Sequence, residues 1–183
     1  MITVNDNLIP QDLVERLHKK YTNGKFRFYW KGNVKQSMCH WHIDICDISP
    51  TNRTDLTERF YNSNGRFDDE IAVWKIIKEQ VLGNFSLHRV YVNGYTFGTE
   101  GALHTDTDVD GDETAILYLN KDWKLEWAGE TVIFKDDDIE RSVLPKAGRV
   151  LTFPSNQLHC ARSVSKTCDE LRMVLVFKGC RIE

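Results

Sequence analysis

His104, Asp106 and His159 are the residues of this chain best suited to carry chemistry. The first two stand in Leu103-His104-Thr105-Asp106, and the third follows far downstream in Leu158-His159-Cys160. Two imidazoles and one carboxylate, arranged facially with coordination positions left open, are how proteins hold non-haem Fe(II) for oxygen chemistry. On a strand, residues i and i+2 point to one face, so His104 and Asp106 converge while Thr105 points away. A jelly roll brings distant strands face to face, which lets His159 complete the set. His-x-Asp also recurs by chance, and a lone His is more often structural than ligating. The triad alone leaves both readings open.

The elements that must position these residues are mostly strands. Beyond Asn84, short β-rich runs are separated by turn residues: Ser86–Val92, Ala102–Thr105, Thr114–Leu119, Glu130–Phe134, Ser142–Leu144, Arg149–Phe153, His159–Ser163 and Leu171–Phe177. Asn93-Gly94, Asp110-Gly111 and Ala147-Gly148 punctuate them. Many short strands at similar spacing suggest a sandwich or barrel, and eight fits a jelly roll. A further strand pair falls at Phe26–Trp30 and His40–Cys46. Two segments read as helices. Pro10–Tyr21 carries Leu13, Leu17 and Tyr21 at i, i+4 and i+8. Asp69–Leu82 follows Asp68 as N-cap, lines up Ile71, Trp74 and Val81, and stops at Gly83. The expected class is mainly β with supporting α-helices, a double-stranded β-helix.

Bulk properties agree with one domain over 1–183, with helices and accessory strands in 1–85 and the run of short strands in 86–178. A net charge of −3 gives no basic field that would advertise nucleic acid or an anionic membrane. No apolar run approaches the ~20 residues of a membrane span, and Met1–Pro10 lacks the basic and apolar regions of a signal peptide. Five cysteines without framework spacing point to a reducing, cytoplasmic setting.

Other clusters invite a functional reading and lose it. Asp106 to Gly111 mimics the start of an EF-hand loop, but its twelfth position is Leu117, where a bidentate Glu is needed. Asp108, Asp110, Asp112 and Glu113 then read as a solvated loop. Cys39-His40-Trp41-His42 with Cys46 fits no standard zinc spacing and reads as a structural strand. His18, His40, His42 and His88 are given structural roles.

The flanking blocks carry a resemblance. Arg89-Val90-Tyr91-Val92-Asn93-Gly94 precedes the His-Thr-Asp, and Tyr118-Leu119-Asn120-Lys121-Asp122-Trp123 follows it. Gly129-Glu130-Thr131-Val132-Ile133-Phe134 and Pro145 to Pro154 come next. In this order, over roughly Arg89–Lys178, they resemble the 2-oxoglutarate and Fe(II)-dependent dioxygenases, in the prolyl 4-hydroxylase-like branch. The resemblance implies His104, Asp106 and His159 as metal ligands and catalytic centre, with 2-oxoglutarate and O₂ as co-substrates and ascorbate as support. It also implies a basic residue after the distal His that holds the remote carboxylate of 2-oxoglutarate. Arg172, opening the last strand, is chosen over Lys166 and Arg162. Tyr118 would bond the same carboxylate, and Tyr91 would contact the co-substrate near the metal.

The implied reaction is hydroxylation of an unactivated C–H with release of succinate and CO₂. The branch suggests prolyl 4-hydroxylation in a proline-containing peptide or protein, gripped by aromatics among Tyr29, Trp30, Trp41 and Tyr61. A hydroxylase of a free amino acid, small metabolite or nucleobase is the alternative, and a catalytically silent metal-binding module is the third reading. The protein would act as a monomer or homodimer, without a membrane or nucleic-acid partner. Ala128 departs from the branch, where two glycines commonly precede the Glu. Alanine suffices there unless the backbone needs positive φ.

Overall fold

The structure, a computed structural model, describes residues 1–30, 39–46 and 54–182, with the side chains of Tyr29 and Trp30 outside the described set. Among the described residues, ten strands form two sheets: β1 (Thr3–Asn5), β2 (Arg27–Trp30), β3 (His40–Cys46), β4 (Phe85–Tyr95), β5 (Asp112–Tyr118), β6 (Thr131–Lys135), β7 (Asp138–Val143), β8 (Val150–Pro154), β9 (His159–Ala161) and β10 (Arg172–Arg181). The larger sheet runs β1-β8-β5-β10-β4-β3-β2 and the smaller β7-β6-β9, with antiparallel pairing throughout. Together they make the double-stranded β-helix.

Among the described residues, three α-helices accompany the strands: α1 (Gln11–Thr22), α2 (Thr57–Tyr61) and α3 (Asp68–Ile77). α3 continues as a π-helical turn over Lys78–Leu82 and ends before Gly83, whose φ is +82°. Asp68 lies within the first turn rather than at the N-cap, which is Phe67. A carboxylate there still meets the positive end of the helix dipole.

The larger sheet is buried on both faces, and this decides where the site can be. Met173, Leu175 and Phe177 of β10 point one way, into a cluster with Leu13 and Leu17 of α1 and Val73, Trp74 and Ile77 of α3. Val174 and Val176 point the other way, into a second cluster with Tyr91, Ile116, Tyr118, Leu151 and Phe153, which faces the smaller sheet through Ile133 and Val143. A strand covered on both sides reads as an unbroken apolar run, as β10 does. Arg172 and Lys178 share the inward parity of Val174 and Val176.

Departures from the sequence expectation are local. Ala102–Thr105 forms no strand. It makes a single bridge, in which His104 N–H donates to the His159 carbonyl at 3.0 Å and His159 N–H returns the bond at 2.9 Å. Asp106 and Thr107 then both donate their N–H to the Ser155 carbonyl, which turns the chain away from a ladder. β1, α2 and a 3₁₀ turn at Leu125–Trp127 carry too little periodicity to be seen in sequence. Asp108 and Asp110 are exposed, but Asp112 is buried at the start of β5, so the acidic run is only half a solvated loop. No helix among the described residues is long and apolar enough to cross a membrane.

Candidate active site

Backbone pairing between His104 and His159 brings the distant triad together. The ring centroids of the two histidines lie 4.4 Å apart. Asp106 Oδ1 is 3.2 Å from His104 Nε2, and its Oδ2 is 3.6 Å from His159 Nε2. One ligand atom from each residue lies within 4.8 Å of the others, and among the described residues this is the single cluster of three such groups.

The hydrogen bonds fix which nitrogen is offered. His104 Nδ1 donates to the Ala102 carbonyl at 2.7 Å, and His159 Nδ1 donates to the Gln157 carbonyl at 2.9 Å. With each proton held on Nδ1, both Nε2 lone pairs turn toward Asp106. Such outer bonds orient ligating imidazoles and set their tautomer. Burial pushes His159 below the ordinary imidazole value and favours its neutral, ligating form, whereas at His104 burial is outweighed by the Asp106 carboxylate, which raises it. Burial alone would raise the Asp106 carboxyl, but the Lys178 ammonium and the two imidazoles outweigh it and hold the group well below the usual carboxylate range. Its oxygens accept from Thr114 Oγ1 and Lys178 Nζ, each at 2.6 Å.

The cleft beside the triad has a volume of about 420 Å³, open space at its mouth included, and Arg172 lines it together with Thr131, Tyr91 and Tyr95. Arg172 is 1% exposed. Its Nε donates to the Gly129 carbonyl at 2.5 Å, and Nη2 donates to Thr131 Oγ1 at 2.9 Å. Nη1 is buried without a hydrogen-bond partner. Among the described residues, no carboxylate pairs with this guanidinium. A buried cation left so is costly unless an anion joins it. The cleft therefore fits a dicarboxylate whose far end reaches Arg172 and whose near end reaches the triad. The donor set of the triad fits Fe(II).

Of the other sequence candidates, Tyr91 lines the cleft. Tyr118 is fully buried, and its hydroxyl donates to Thr131 Oγ1 at 2.7 Å, which places it behind Thr131. Its ring also lies under the Arg172 guanidinium, 5.4 Å from the centroid. Lys166 and Arg162 are both exposed.

Sequence reasoning missed Thr114, Thr131, Tyr95 and Lys178. Alternation along β10 from Arg172 carries the signal for Lys178, since i, i+2, i+4 and i+6 share a face. His40 and His42, given structural roles, pack on the cleft side against Tyr95 and Tyr91, each with ring centroids 5.2 Å apart. His42 is anchored through both nitrogens, to Asn93 Oδ1 at 2.7 Å and Asp44 Oδ1 at 2.8 Å. Trp41 points to the opposite face, where its ring meets Phe28 at 4.5 Å.

Ala128 does adopt positive φ, at +55°, so the condition under which alanine is strained is met. It precedes Gly129, whose φ is +78° and whose carbonyl accepts from Arg172. A Cβ on Gly129 would come 3.1 Å from Arg172 Cδ and 3.0 Å from Val164. The left-handed pair therefore shapes the seat of the guanidinium.

Fold and triad together define a metal-dependent oxygenase barrel. Residues 89–177 match the model of the 2OG-Fe(II) oxygenase superfamily. The match makes residues 89–177 the catalytic core of an oxidoreductase, and the family it describes uses Fe(II) and 2-oxoglutarate, with O₂. No curated protein matches the chain by sequence. Among solved structures it is similar to a Pseudomonas putida prolyl-4-hydroxylase at 19% identity and a TM-score of 0.64, over 98% of this chain and 92% of that one. A Trichoplax adhaerens prolyl hydroxylase, solved with a hypoxia inducible factor peptide fragment, aligns at 16% identity and a TM-score of 0.62, over 98% and 83%. The non-heme alpha-ketoglutarate dependent epimerase SnoN aligns at 13% and 0.65, over 98% and 77%.

Proposed function

We propose that this chain hydroxylates an unactivated C–H, with prolyl 4-hydroxylation in a peptide or protein as the leading form of that reaction. The observation that carries the hydroxylase reading is one cleft with the His-Asp-His set beside it and a buried, unfilled Arg172 donor in its wall. The prolyl form is supported by the fold likeness to prolyl hydroxylases, one of them crystallised with a peptide.

His104, Asp106 and His159 would hold Fe(II), which supplies the oxidising power when O₂ and 2-oxoglutarate are present. The chain's own part is to bind, orient and exclude water. Arg172 would receive the far carboxylate of 2-oxoglutarate through Nη1 and Nη2, with Thr131 beside it and Tyr118 fixing Thr131. Tyr91 would contact the co-substrate nearer the metal. Thr114 and Lys178 hold the Asp106 carboxylate in one orientation.

The second reading, a small-molecule hydroxylase, is favoured by the polar side chains of Asn93, Thr114 and Thr131 that line the cleft, which suit a polar ligand better than a bare pyrrolidine ring. Incubation with Fe(II), ascorbate and 2-oxoglutarate should release succinate, and mass spectrometry of proline-rich peptides should show a +16 shift on proline. Succinate without any shifted peptide favours the small-molecule reading. No succinate under any condition overturns both.

A further inference from the structure

Lys178 stands six residues along β10 from Arg172, on the same inward face. Its Nζ is 2.6 Å from Asp106 Oδ1, and its side chain keeps 17% of its surface accessible. Arg89 lies directly across the strand pair from Lys178, in register. The two cations flank one ring, with Arg89 4.6 Å and Lys178 5.4 Å from the Tyr91 centroid. Along the inner face the order is therefore guanidinium (Arg172), two valines (Val174 and Val176), then ammonium.

Charge accounting shows what this arrangement requires. In the proposed loaded state a divalent metal and Arg172 bring three positive charges. Asp106 and a dicarboxylate co-substrate bring three negative ones. That set is neutral before Lys178 is counted. Metal binding takes up the Asp106 charge that Lys178 now faces, leaving the ammonium beside a dication. A positive charge placed so is stabilised by an incoming anion and by little else.

We infer that Lys178, with Arg89 beside it, receives a carboxylate of the substrate and sets that carboxylate next to the C–H to be oxidised. This rests on the co-substrate reading above and deepens it, because it names the feature of the substrate that the site selects. The carboxylate belongs either to a small acid or to an acidic side chain of a peptide, and Lys178 recognises the chemistry they share. Because the ammonium is bonded to the metal-side carboxylate, a group held by it sits at the reacting centre and fixes regiochemistry as well as affinity.

The test is calorimetry on protein loaded first with Mn(II) and then with 2-oxoglutarate. Acetate should bind saturably in the millimolar range, and acetamide, its neutral counterpart, should bind at least tenfold more weakly. Lys178→Met should weaken acetate at least tenfold more than it weakens 2-oxoglutarate, and Lys178→Arg should keep acetate within a few-fold. Equal binding of acetate and acetamide by the unaltered protein overturns the inference without relying on any variant. So does acetate binding that survives Lys178→Met. Failure of 2-oxoglutarate to bind the Mn(II) protein instead sinks the underlying reading, and this inference with it. A blocked tripeptide, acetyl-Gly-Glu-Gly-amide, separates the sources. Binding tenfold tighter than acetate assigns the carboxylate to a peptide, and equal or weaker binding assigns it to a small acid.

Discussion

Replacing Arg172 with methionine tests the co-substrate assignment most directly. Methionine keeps the unbranched stem out to about the position of Nε but removes the fork. Arg172 has Nη1 entirely unused and a second proton on Nη2, enough for two parallel bonds to a carboxylate. Hydrogen bonds to charged groups are worth about 1.5–3 kcal/mol each. Two of them amount to roughly 3–6 kcal/mol, or a loss of 2-oxoglutarate affinity of roughly 150- to 25,000-fold. Arg172→Lys keeps the charge but not the fork and should fall between, at about tenfold. Stability should move little, within about 2 kcal/mol. Removing an uncompensated buried cation offsets the donors lost by Gly129 and Thr131. The assay is calorimetric titration of 2-oxoglutarate into Mn(II)-loaded protein, with Lys166→Ala as comparator. The reasoning is refuted if Arg172→Met binds 2-oxoglutarate normally, and the more so if Lys166→Ala does not.

Asp106→Ala and His159→Ala should each weaken Mn(II) binding at least 100-fold, read by electron paramagnetic resonance of free Mn(II); unchanged binding in either would remove that residue from the ligand set. Ala128→Gly should raise stability by about 1 kcal/mol in urea unfolding, because alanine at positive φ is strained and glycine is not; a loss of stability would show that the Ala128 methyl packs better than its backbone suffers. Burial, then the neighbouring His42, pulls the His40 pKa down to about 4 from an ordinary 6.5. Between those values the unfolded chain binds a proton that the folded chain refuses. The stability due to neutral His40 is therefore complete above pH 6.5 and is lost as pH falls toward 4, by up to about 1.4 kcal/mol per pH unit. His40→Asn should flatten that part of the profile, and an unaltered slope would place the titration elsewhere.

Much of the barrel was legible because its strands obey simple rules. The apolar run from Met173 to Phe177 and the β-rich runs around Tyr91 and Tyr118, set off by turn residues, put β4, β5 and β10 within a few residues of their observed ends. The joining of His104 to His159 was foreseen from chemistry, but not the means. A lone bridge, set by two backbone bonds, leaves no hydrophobic period to read. Lys178 was overlooked for another reason. A lysine near the end of a strand ordinarily reaches solvent, and only the register with Arg89 and the nearness of Asp106 show that this one turns inward. Ala128 was flagged as a departure, yet its dihedral angle depends on where Arg172 needs the Gly129 carbonyl, a tertiary demand with no local sign. The aromatic grip suggested for Tyr29 and Trp30 concerns side chains outside the described residues.

β10 also works as a ruler. Arg172 and Lys178 are six residues apart on one strand, so about 20 Å of extended backbone separates their Cα atoms. The other face of that strand is pinned to α1 and α3 by Met173, Leu175 and Phe177, so the strand cannot slide or bow to suit a different load. Whatever lies end to end between those two cations must match that length. A new side chain at either end changes what is gripped, whereas the spacing itself belongs to the strand, because both cations ride on β10 and no shift of register against β4 or β5 would alter it.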